Sequence, residues 1–240
     1  MINTLLIDDE RLARQELRSL LTAFPEINIV GEAENVDEGI SLIEKHSPQL
    51  IFLDIQMPEK TGFDLLEELI QIPLVIFCTA YDEYALKAFE SNALDYLLKP
   101  VDPNRLKEAV QKVFRQLQET KGGNTLQTEL SEDQQVFLKD GDKCWFVRVG
   151  DIRLIESVGN YARLYFGDQK ALIHRTLNDL DERLGNAAFF RANRKEIINL
   201  RQIGQIEPYF SGGLLVILKT GERIEISRRQ SIKFREIMSL

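Results

Sequence analysis

The chain has 240 residues, of which 44% are hydrophobic and 28% charged, and its formal net charge is −8. This length leaves room for two globular domains. No apolar run approaches the ~20 residues that a membrane-spanning helix needs, and no basic-then-apolar leader opens the chain, so we expect a cytoplasmic protein. Two Cys and two His stand far apart and form no metal-binding or redox spacing.

The charge is divided unevenly between the two halves of the chain. Residues 1–120 carry 11 Lys and Arg against 22 Asp and Glu, net −11, whereas residues 121–240 carry 19 against 16, net +3, and together these give −8. An acidic half favours cations or cationic partners, and a mildly basic half is compatible with a polyanion. We therefore expect the two halves to have different functions.

Residues 1–120 alternate between short apolar runs and amphipathic helices. The predicted strands are Thr4–Ile7, Ile27–Val30, Leu50–Leu53, Leu74–Cys78 and Asp95–Leu98. Each strand is followed by a predicted helix, and these helices include Arg11, Val36, Gly62, Ala85 and Pro103 in turn. Five strands alternating with five helices predict an α/β doubly wound fold, an open five-stranded parallel sheet covered on both faces.

Polar residues stand where these strands end. Asp54 follows Leu50–Leu53 directly, and Pro58 prevents that strand from continuing. An isolated Asp in such a position is more often a turn or capping carboxylate. The other strand-end residues are Asp8, Asp9, Thr79 and Lys99. Because ligands of open α/β sheets bind at the carboxyl ends of the strands, we expect all five side chains to meet there.

The residue types at this predicted meeting point indicate phosphoryl chemistry. Three carboxylates repel one another unless a cation lies among them, and oxygen ligands without Cys or His favour Mg²⁺. A phosphoryl group bound to Mg²⁺ keeps negative charge that Lys99 can meet and oxygens that Thr79 can hydrogen-bond. Asp54, acting as nucleophile, would form an acyl phosphate.

Residues 1–120 resemble the receiver domain of two-component response regulators. The matching residues are Asp8-Asp9, Asp54, Met57-Pro58, Gly62, Thr79, Tyr96 and Lys99-Pro100. The resemblance implies that Asp54 is the phosphoacceptor. It implies that Asp9, Asp54 and the backbone carbonyl of Gln56 ligate Mg²⁺, with Asp8 acting through water.

The same resemblance implies the strand order 2-1-3-4-5 and a cis peptide bond before Pro100. It also implies that four residues contact the phosphoryl group or act in the switch: Thr79, Tyr96, Lys99 and Pro100. For Tyr96 an alternative stays open, because an aromatic residue at a strand end is commonly part of the core.

The second half of the chain has a different pattern. Residues 121–133 are polar, lack a sustained apolar stripe and predict a flexible linker. Residues 134–240 contain short, often alternating runs separated by turn signals, and they predict a mostly antiparallel β domain. Two helices interrupt the predicted strands. They begin near Thr176 and Ser227, the latter with a capping box completed by Gln230.

Basic residues of this half concentrate in short connections and on the last helix, where charge alone equally suits a solvated face. Residues 135–238 resemble the LytTR DNA-binding domain, through the segments Ile155–Tyr161, Phe190–Asn199 and Ile226–Arg229. In that family, loops on a β scaffold enter the major groove. By resemblance the DNA contacts would come from Asn160, Tyr161, Ala162, Asn193, Arg194, Lys195, Arg228 and Arg229.

Two departures from the LytTR pattern concern the predicted DNA contacts. Asn193 stands where many relatives have His, and Lys195-Glu196 stands where many have Ser and an aromatic residue. Glu196 near phosphates would be repulsive unless it turns away or reads a cytosine amino group. These departures leave the operator sequence open.

Together the two halves predict a phosphorylation-activated transcription regulator of a two-component system, without enzymatic turnover of external substrates. A sensor histidine kinase or a small acyl phosphate would phosphorylate Asp54. A receiver surface formed by the fourth helix, fifth strand and fifth helix would then form a homodimer that binds direct repeats in double-stranded promoter DNA. The alternatives are an output module that binds protein or RNA and an aspartyl-phosphate phosphatase, although phosphatases need an acid where Gln56 stands.

Overall fold

A computed structural model describes residues 1–69, 71–80, 94–120, 134–141, 143–184 and 188–238. The chain clusters in space into two compact units: unit 1 comprises Met1–Leu126 and Val136–Phe146, and unit 2 comprises Gln127–Gln135 and Val147–Leu240. The predicted fourth helix and the predicted linker at 121–133 lie outside the described residues. Among the helices that are described, none is long and apolar enough to cross a membrane.

Unit 1 is built on a five-stranded parallel sheet in the order β2-β1-β3-β4-β5. The strands are β1 (Ile2–Ile7), β2 (Ile27–Ala33), β3 (Leu50–Leu53), β4 (Leu74–Thr79) and β5 (Asp95–Leu98). The predicted doubly wound fold and its strand order are confirmed. The central strands are apolar along their whole length because both faces of the sheet are covered.

Alternate residues of these strands enter two separate cores. The described helices of unit 1 are α1 (Arg11–Leu21), α2 (Val36–His46), α3 (Gly62–Glu68) and α4 (Pro103–Thr120). Phe52 packs with residues of α1 and α4 on one face of the sheet, whereas Leu53 packs with residues of α2 and α3 on the other. This two-sided packing holds the carboxyl ends of the strands at one edge.

A two-stranded sheet formed by β6 (Gln135–Asp140) and β7 (Lys143–Arg148) follows in the chain. We name it the β6–β7 hairpin. Its Phe137, Cys144 and Phe146 are buried in the same apolar cluster as Phe63 and Phe77 of unit 1. The sequence pattern grouped this hairpin with the β domain that follows it, and the boundaries 1–120, 121–133 and 134–240 stay predictions.

Unit 2 contains two antiparallel sheets in the orders β10-β9-β8-β12-β11 and β13-β14-β15. The strands are β8 (Ile152–Val158), β9 (Tyr161–Phe166), β10 (Gln169–Ile173), β11 (Phe189–Arg191), β12 (Glu196–Asn199), β13 (Ile203–Pro208), β14 (Leu214–Leu218) and β15 (Arg223–Ile226). Its helices are α5 (Leu177–Leu184) and α6 (Arg228–Met238). The predicted mostly antiparallel domain is confirmed.

The core of unit 2 joins α6 to the second sheet and to β11. Phe234 of α6 is fully buried and meets the ring of Phe190 edge-on, with centroids 5.2 Å apart. Leu214, Val216 and Ile226 belong to the same cluster. This packing fixes the position of the amino end of α6 against the loops that surround it.

Phe234 and Phe210 provide a matched test of this core, because Phe210 is 82% exposed. We expect Phe234→Ala to lower the free energy of unfolding by about 3–5 kcal/mol through lost burial and a residual cavity. Phe210→Ala should change it by no more than about 0.5 kcal/mol. Urea unfolding followed by circular dichroism measures both, and equal effects would contradict this core.

Candidate functional site

Three carboxylates meet at the carboxyl edge of the parallel sheet. One oxygen from each of Asp8, Asp9 and Asp54 lies within 4.8 Å of the other two. The main-chain ladder places them, because the Asp54 N–H donates to the Ile7 carbonyl at 2.8 Å and the Asp8 N–H donates to the Ala33 carbonyl at 3.0 Å. Asp8 and Asp54 are buried, so their mutual repulsion is poorly screened by water.

Lys99 supplies the positive charge of this cluster. Its Nζ lies 2.7 Å from Asp8 Oδ2 and 2.7 Å from Asp54 Oδ2. Burial would lower the pKa of Lys99, but the hydrogen bonds to Asp54 and Asp8 outweigh burial and raise it. Burial raises the pKa of Asp8, and the Lys99 ammonium only partly offsets that effect. One ammonium ion therefore holds together two carboxylates from different strands.

The loop after β3 closes against Asp54. The Gln56 N–H donates to Asp54 Oδ1 at 3.2 Å, and the Gly62 N–H donates to the Ile55 carbonyl at 2.8 Å. A Cβ at position 62 would lie 2.2 Å from the Asp54 carbonyl oxygen. Only glycine fits here without a backbone shift, so the first turn of α3 touches the main chain of Asp54 directly.

Thr79 and Tyr96 differ in what they offer to a ligand. Thr79 Oγ1 is buried and has no hydrogen-bond partner among the described residues, which leaves the hydroxyl for an incoming oxygen. Tyr96 is 8% exposed and belongs to the apolar cluster around Phe77. Its position suits the core alternative, and its switch role stays a prediction. The peptide bond between Lys99 and Pro100 is cis, as the resemblance implied.

The donor set of the carboxylate cluster fits Mg²⁺. It consists of carboxylate oxygens, two of them buried, and the backbone of Gln56 adjoins Asp54. Hard oxygen donors without thiolate or imidazole suit Mg²⁺ better than softer metals. The cluster has more negative than positive charge at close range, because three carboxylates surround one partly buried ammonium ion that pairs with two of them.

In unit 2, a tight turn presents the first predicted DNA-contact segment. Gly159, with φ 63°, and Asn160 connect β8 to β9, where Val158 pairs with Tyr161. Asn160 is exposed, and Tyr161 is 44% exposed. Ala162 is fully buried in β9, since it faces the core on the strand period of two. The Ala162 side chain is therefore no DNA-contacting group, and the predicted contact at this position, left to its main chain, stays a prediction.

The second segment is a loop held by Asn193. The Asn193 Nδ2 donates to Glu196 Oε2 at 2.6 Å and to the Glu225 carbonyl at 2.9 Å, and its Oδ1 accepts from the Lys195 N–H at 2.8 Å. All the polar atoms of this side chain are thus engaged within the protein. Asn193 positions the loop, and the exposed Arg194 and Lys195 are left to contact a ligand. Glu196 is occupied by its bond with Asn193.

Arg191, within the predicted segment Phe190–Asn199, is a structural residue of this surface, a role that sequence reasoning did not assign to it. Its Nε donates to the Asn193 carbonyl at 2.8 Å and its Nη2 to the Arg194 carbonyl at 3.2 Å. Gln230 of α6 in turn donates to the Arg191 carbonyl at 2.9 Å. The hydrogen-bond partners of Arg191 give it this structural role, and the local pattern of charged residues does not reveal those partners.

The three predicted segments form one connected surface. The Ser157 N–H, next to the β8–β9 turn, donates to the Lys195 carbonyl at 2.8 Å. The bond from Gln230 joins the same loop to the start of α6, where Arg228 and Arg229 are exposed. Basic side chains at a helix amino end lie beside backbone N–H groups that also attract anions. The surface is therefore suited to a polyanion.

Comparisons with known proteins agree with both halves of this architecture. Residues 4–111 match the family model of the response regulator receiver domain, and residues 131–239 match that of the LytTr DNA-binding domain. A sensory transduction protein LytT of Enterococcus faecalis is 32% identical, with 100% of each chain covered. The chain belongs to the LytTR response regulators. An uncharacterized response regulatory protein of Vibrio cholerae is 36% identical over 99% of both chains.

Solved structures resemble each half of this response regulator separately. The response regulatory domain of protein mrkE from Klebsiella pneumoniae is 31% identical, with a TM-score of 0.46, and covers 50% of this chain and 100% of its own. A LytTr DNA-binding domain from Bacillus cereus is 22% identical, with a TM-score of 0.42, and covers 44% of this chain and 97% of its own.

A receiver joined to a LytTR domain makes the protein a phosphorylation-dependent, DNA-binding transcription regulator, and its partners are a histidine kinase and DNA. The receiver match places the carboxylate cluster in the half that takes the input. The LytTR match includes all three segments of the basic surface. The response regulator therefore carries its two candidate sites on separate folding units.

The charge balance at Lys99 can be tested by removing the ammonium ion. Lys99→Met should lower the free energy of unfolding by about 3 kcal/mol, because Asp8 and Asp54 lose their shared partner. Mg²⁺ should stabilise this variant more than the wild type, since the cation then replaces the missing charge. Thermal unfolding with and without MgCl₂ measures both effects, with Lys107→Met on the exposed face of α4 as control. Equal stabilisation of the wild type and Lys99→Met by Mg²⁺ would contradict a cation that replaces the missing charge, and no stabilisation of any of the three proteins would contradict a cation site here.

Proposed function

We propose that Asp54 of this response regulator accepts a phosphoryl group from the phosphohistidine of a sensor histidine kinase, or from a small acyl phosphate. The observation that carries the proposal is the buried Asp54 carboxylate, held 2.7 Å from Lys99 Nζ beside two further carboxylates. A carboxylate oriented by a neighbouring ammonium ion is a competent nucleophile. The Asp54 side chain lies at the sheet edge where ligands of this fold bind.

The transfer is an in-line displacement at phosphorus. An Asp54 carboxylate oxygen forms the new P–O bond as the P–N bond to the kinase histidine breaks, and the imidazole leaves with the electron pair and takes up a proton. Lys99 pairs with the phosphoryl oxygens after the transfer. Mg²⁺ held by Asp9, Asp54 and the Gln56 carbonyl, with Asp8 through water, would neutralise developing charge.

The phosphorylated side chain then biases a switch in the receiver. The unpartnered Thr79 hydroxyl donates a hydrogen bond to a phosphoryl oxygen and shifts toward it. Tyr96 and Pro100 adjoin the ends of the same strands and follow this shift. The phosphoryl group is thus a signal, and no turnover of external substrates is expected from a site with Gln56 in place of a second catalytic acid.

The output is binding of direct repeats in double-stranded promoter DNA by a homodimer formed through the receiver surface. Arg194, Lys195, Arg228 and Arg229 contact phosphates or base edges from the exposed surface of unit 2. Asn160 and Tyr161 reach the groove from the β8–β9 turn. Two copies on paired half-sites explain how a change in the receiver alters DNA affinity.

Substitution of Asp54 tests whether this residue accepts the phosphoryl group. Asp54→Asn should abolish phosphorylation by acetyl phosphate and Mg²⁺, because the amide cannot form the acyl phosphate. Glu59→Gln, an exposed acid in the same loop, should leave phosphorylation unchanged. Intact-mass spectrometry measures the added group, and an Asp54→Asn chain modified at the wild-type rate would show that another residue is the acceptor.

The basic surface predicts a salt dependence of DNA binding. Arg194→Ala and Arg229→Ala should each weaken binding to a duplex with direct repeats and reduce the slope of log K against log salt by about 1. Lys219→Ala is the matched control. Lys219 is exposed and follows the last residue of β14, whereas the Leu214–Ile226 pair that adjoins α6 lies at the other end of that strand. Fluorescence anisotropy over a salt series measures the slopes. A DNA affinity that does not change with salt concentration, or a higher affinity for RNA than for the DNA duplex, would count against this output.

A further inference from the structure

The β6–β7 hairpin carries an apolar face that is buried in unit 1. Phe137 stacks on Phe63 of α3, with ring centroids 5.9 Å apart and planes 4° from parallel. Phe146 meets Phe77 of β4 edge-on at 6.5 Å and Phe137 at 5.2 Å. Cys144 lies in the same cluster and is 6% exposed. The hairpin therefore forms part of the apolar core on the α2–α3 face of the sheet.

An ion pair fixes the hairpin to the first turn of α3. Lys139 Nζ lies 2.8 Å from Asp64 Oδ1 and 3.8 Å from Glu67 Oε2. Burial would raise the pKa of Asp64, but the hydrogen bonds from Lys139 and Thr61 outweigh it, so the pKa is lowered and the carboxylate stays charged. Asp64 also completes the capping box of α3 by accepting from the Thr61 N–H at 2.8 Å. Its position is thus tied both to the helix start and to the hairpin.

Three consecutive residues connect this docking site to the phosphoacceptor. Gly62 packs so closely on the Asp54 carbonyl that a Cβ would lie 2.2 Å from it, and its N–H is bonded to the Ile55 carbonyl. The next two residues, Phe63 and Asp64, are those that hold the hairpin. A shift of the Asp54 main chain therefore reaches the hairpin within one helical turn, without any intervening element.

The hairpin is shared between the two halves of the protein. It lies within residues 131–239, which match the LytTr DNA-binding domain, yet Val136–Phe146 belong to unit 1. The chain continues into unit 2 from both of its ends. The Val149 N–H donates to the Gln134 carbonyl at 2.9 Å and closes the base of the hairpin. A movement of its docked part is therefore transmitted to unit 2 along two covalent connections.

We propose that the β6–β7 hairpin couples the two sites: docked on α3 it restrains DNA binding, and phosphorylation of Asp54 loosens the docking. This inference rests on the proposed phosphorylation of Asp54. The phosphoryl group brings about two negative charges and withdraws Lys99 from its present pairing with Asp8 and Asp54, so the loop against Gly62 has to adjust. Close ring contacts and a partly buried ion pair are lost by small shifts, since packed surfaces exchange between discrete arrangements.

The buried thiol of Cys144 reports on the docking in the full chain. Lys139→Glu reverses the charge that faces Asp64 and Glu67, and should raise the rate of Cys144 alkylation by N-ethylmaleimide roughly five- to tenfold. Lys143→Glu, at an exposed position beside Cys144, makes the same change in net charge without altering the docking. It should not raise the rate, because a carboxylate next to the thiol disfavours the reactive thiolate. Cys78, buried on the opposite core face, serves as an internal reference that the fold is intact. Peptide-level mass spectrometry separates the two thiols.

The same readout tests the link to phosphorylation. Acetyl phosphate with Mg²⁺ should raise Cys144 reactivity severalfold in the wild type and leave it unchanged in Asp54→Asn. Without phosphorylation, Lys139→Glu should bind duplex DNA more tightly than Lys143→Glu, which has the same net charge.

The coupling is overturned by equal Cys144 reactivity in the two hairpin variants, by equal DNA affinity of the two, or by a phosphorylated wild type whose Cys144 rate does not change. Intact mass distinguishes this failure from failure of the proposed function. A chain that carries the phosphoryl group with unaltered Cys144 reactivity refutes the coupling and leaves the phosphoacceptor standing. A chain that never becomes phosphorylated at Asp54 refutes both.

Discussion

The ammonium ion of Lys99, shared between Asp8 and Asp54, is the interaction on which the receiver half depends. It joins the ends of three strands, since Asp8 follows β1, Asp54 follows β3 and Lys99 follows β5. In a largely buried cluster with excess negative charge, one cation holds the carboxylates in place. The same balance makes the site responsive, because any added charge on Asp54 forces Lys99 to redistribute its bonds.

The way this charge change spreads is set by close packing around Asp54. At Gly62 the start of α3 touches the backbone of Asp54, so the loop cannot move without moving the helix. The face of α3 that receives the hairpin begins at the very next residue. The proposed coupling through this contact is local and needs no long pathway. This distinguishes it from signalling through the predicted receiver surface that includes β5 and α4.

The DNA-binding half uses a different principle, in which hydrogen bonds within the protein position exposed charges. Arg191 and Asn193 satisfy main-chain carbonyls and a carboxylate inside the protein, and so hold the loop that presents Arg194 and Lys195. The amide of Asn193 is suited to this because it offers two donors and an acceptor at once. These internal bonds indicate that Asn193 shapes the loop that presents its exposed neighbours.

The amino-acid sequence by itself determined the elements, the two kinds of domain and the residues of the carboxylate site. The period of the hydrophobic residues and the polar residues that follow each strand suffice to predict these. Parallel strands bring their carboxyl ends to one edge of the sheet whatever the details of packing. Only the tertiary structure decided that Ala162 is buried, that Asn193 and Arg191 are bonded inside the protein, and that Phe137 and Lys139 contact α3. Each of these depends on which distant residue a side chain meets. A short apolar run such as Val136–Leu138 in β6 predicts burial without specifying the surface that covers it.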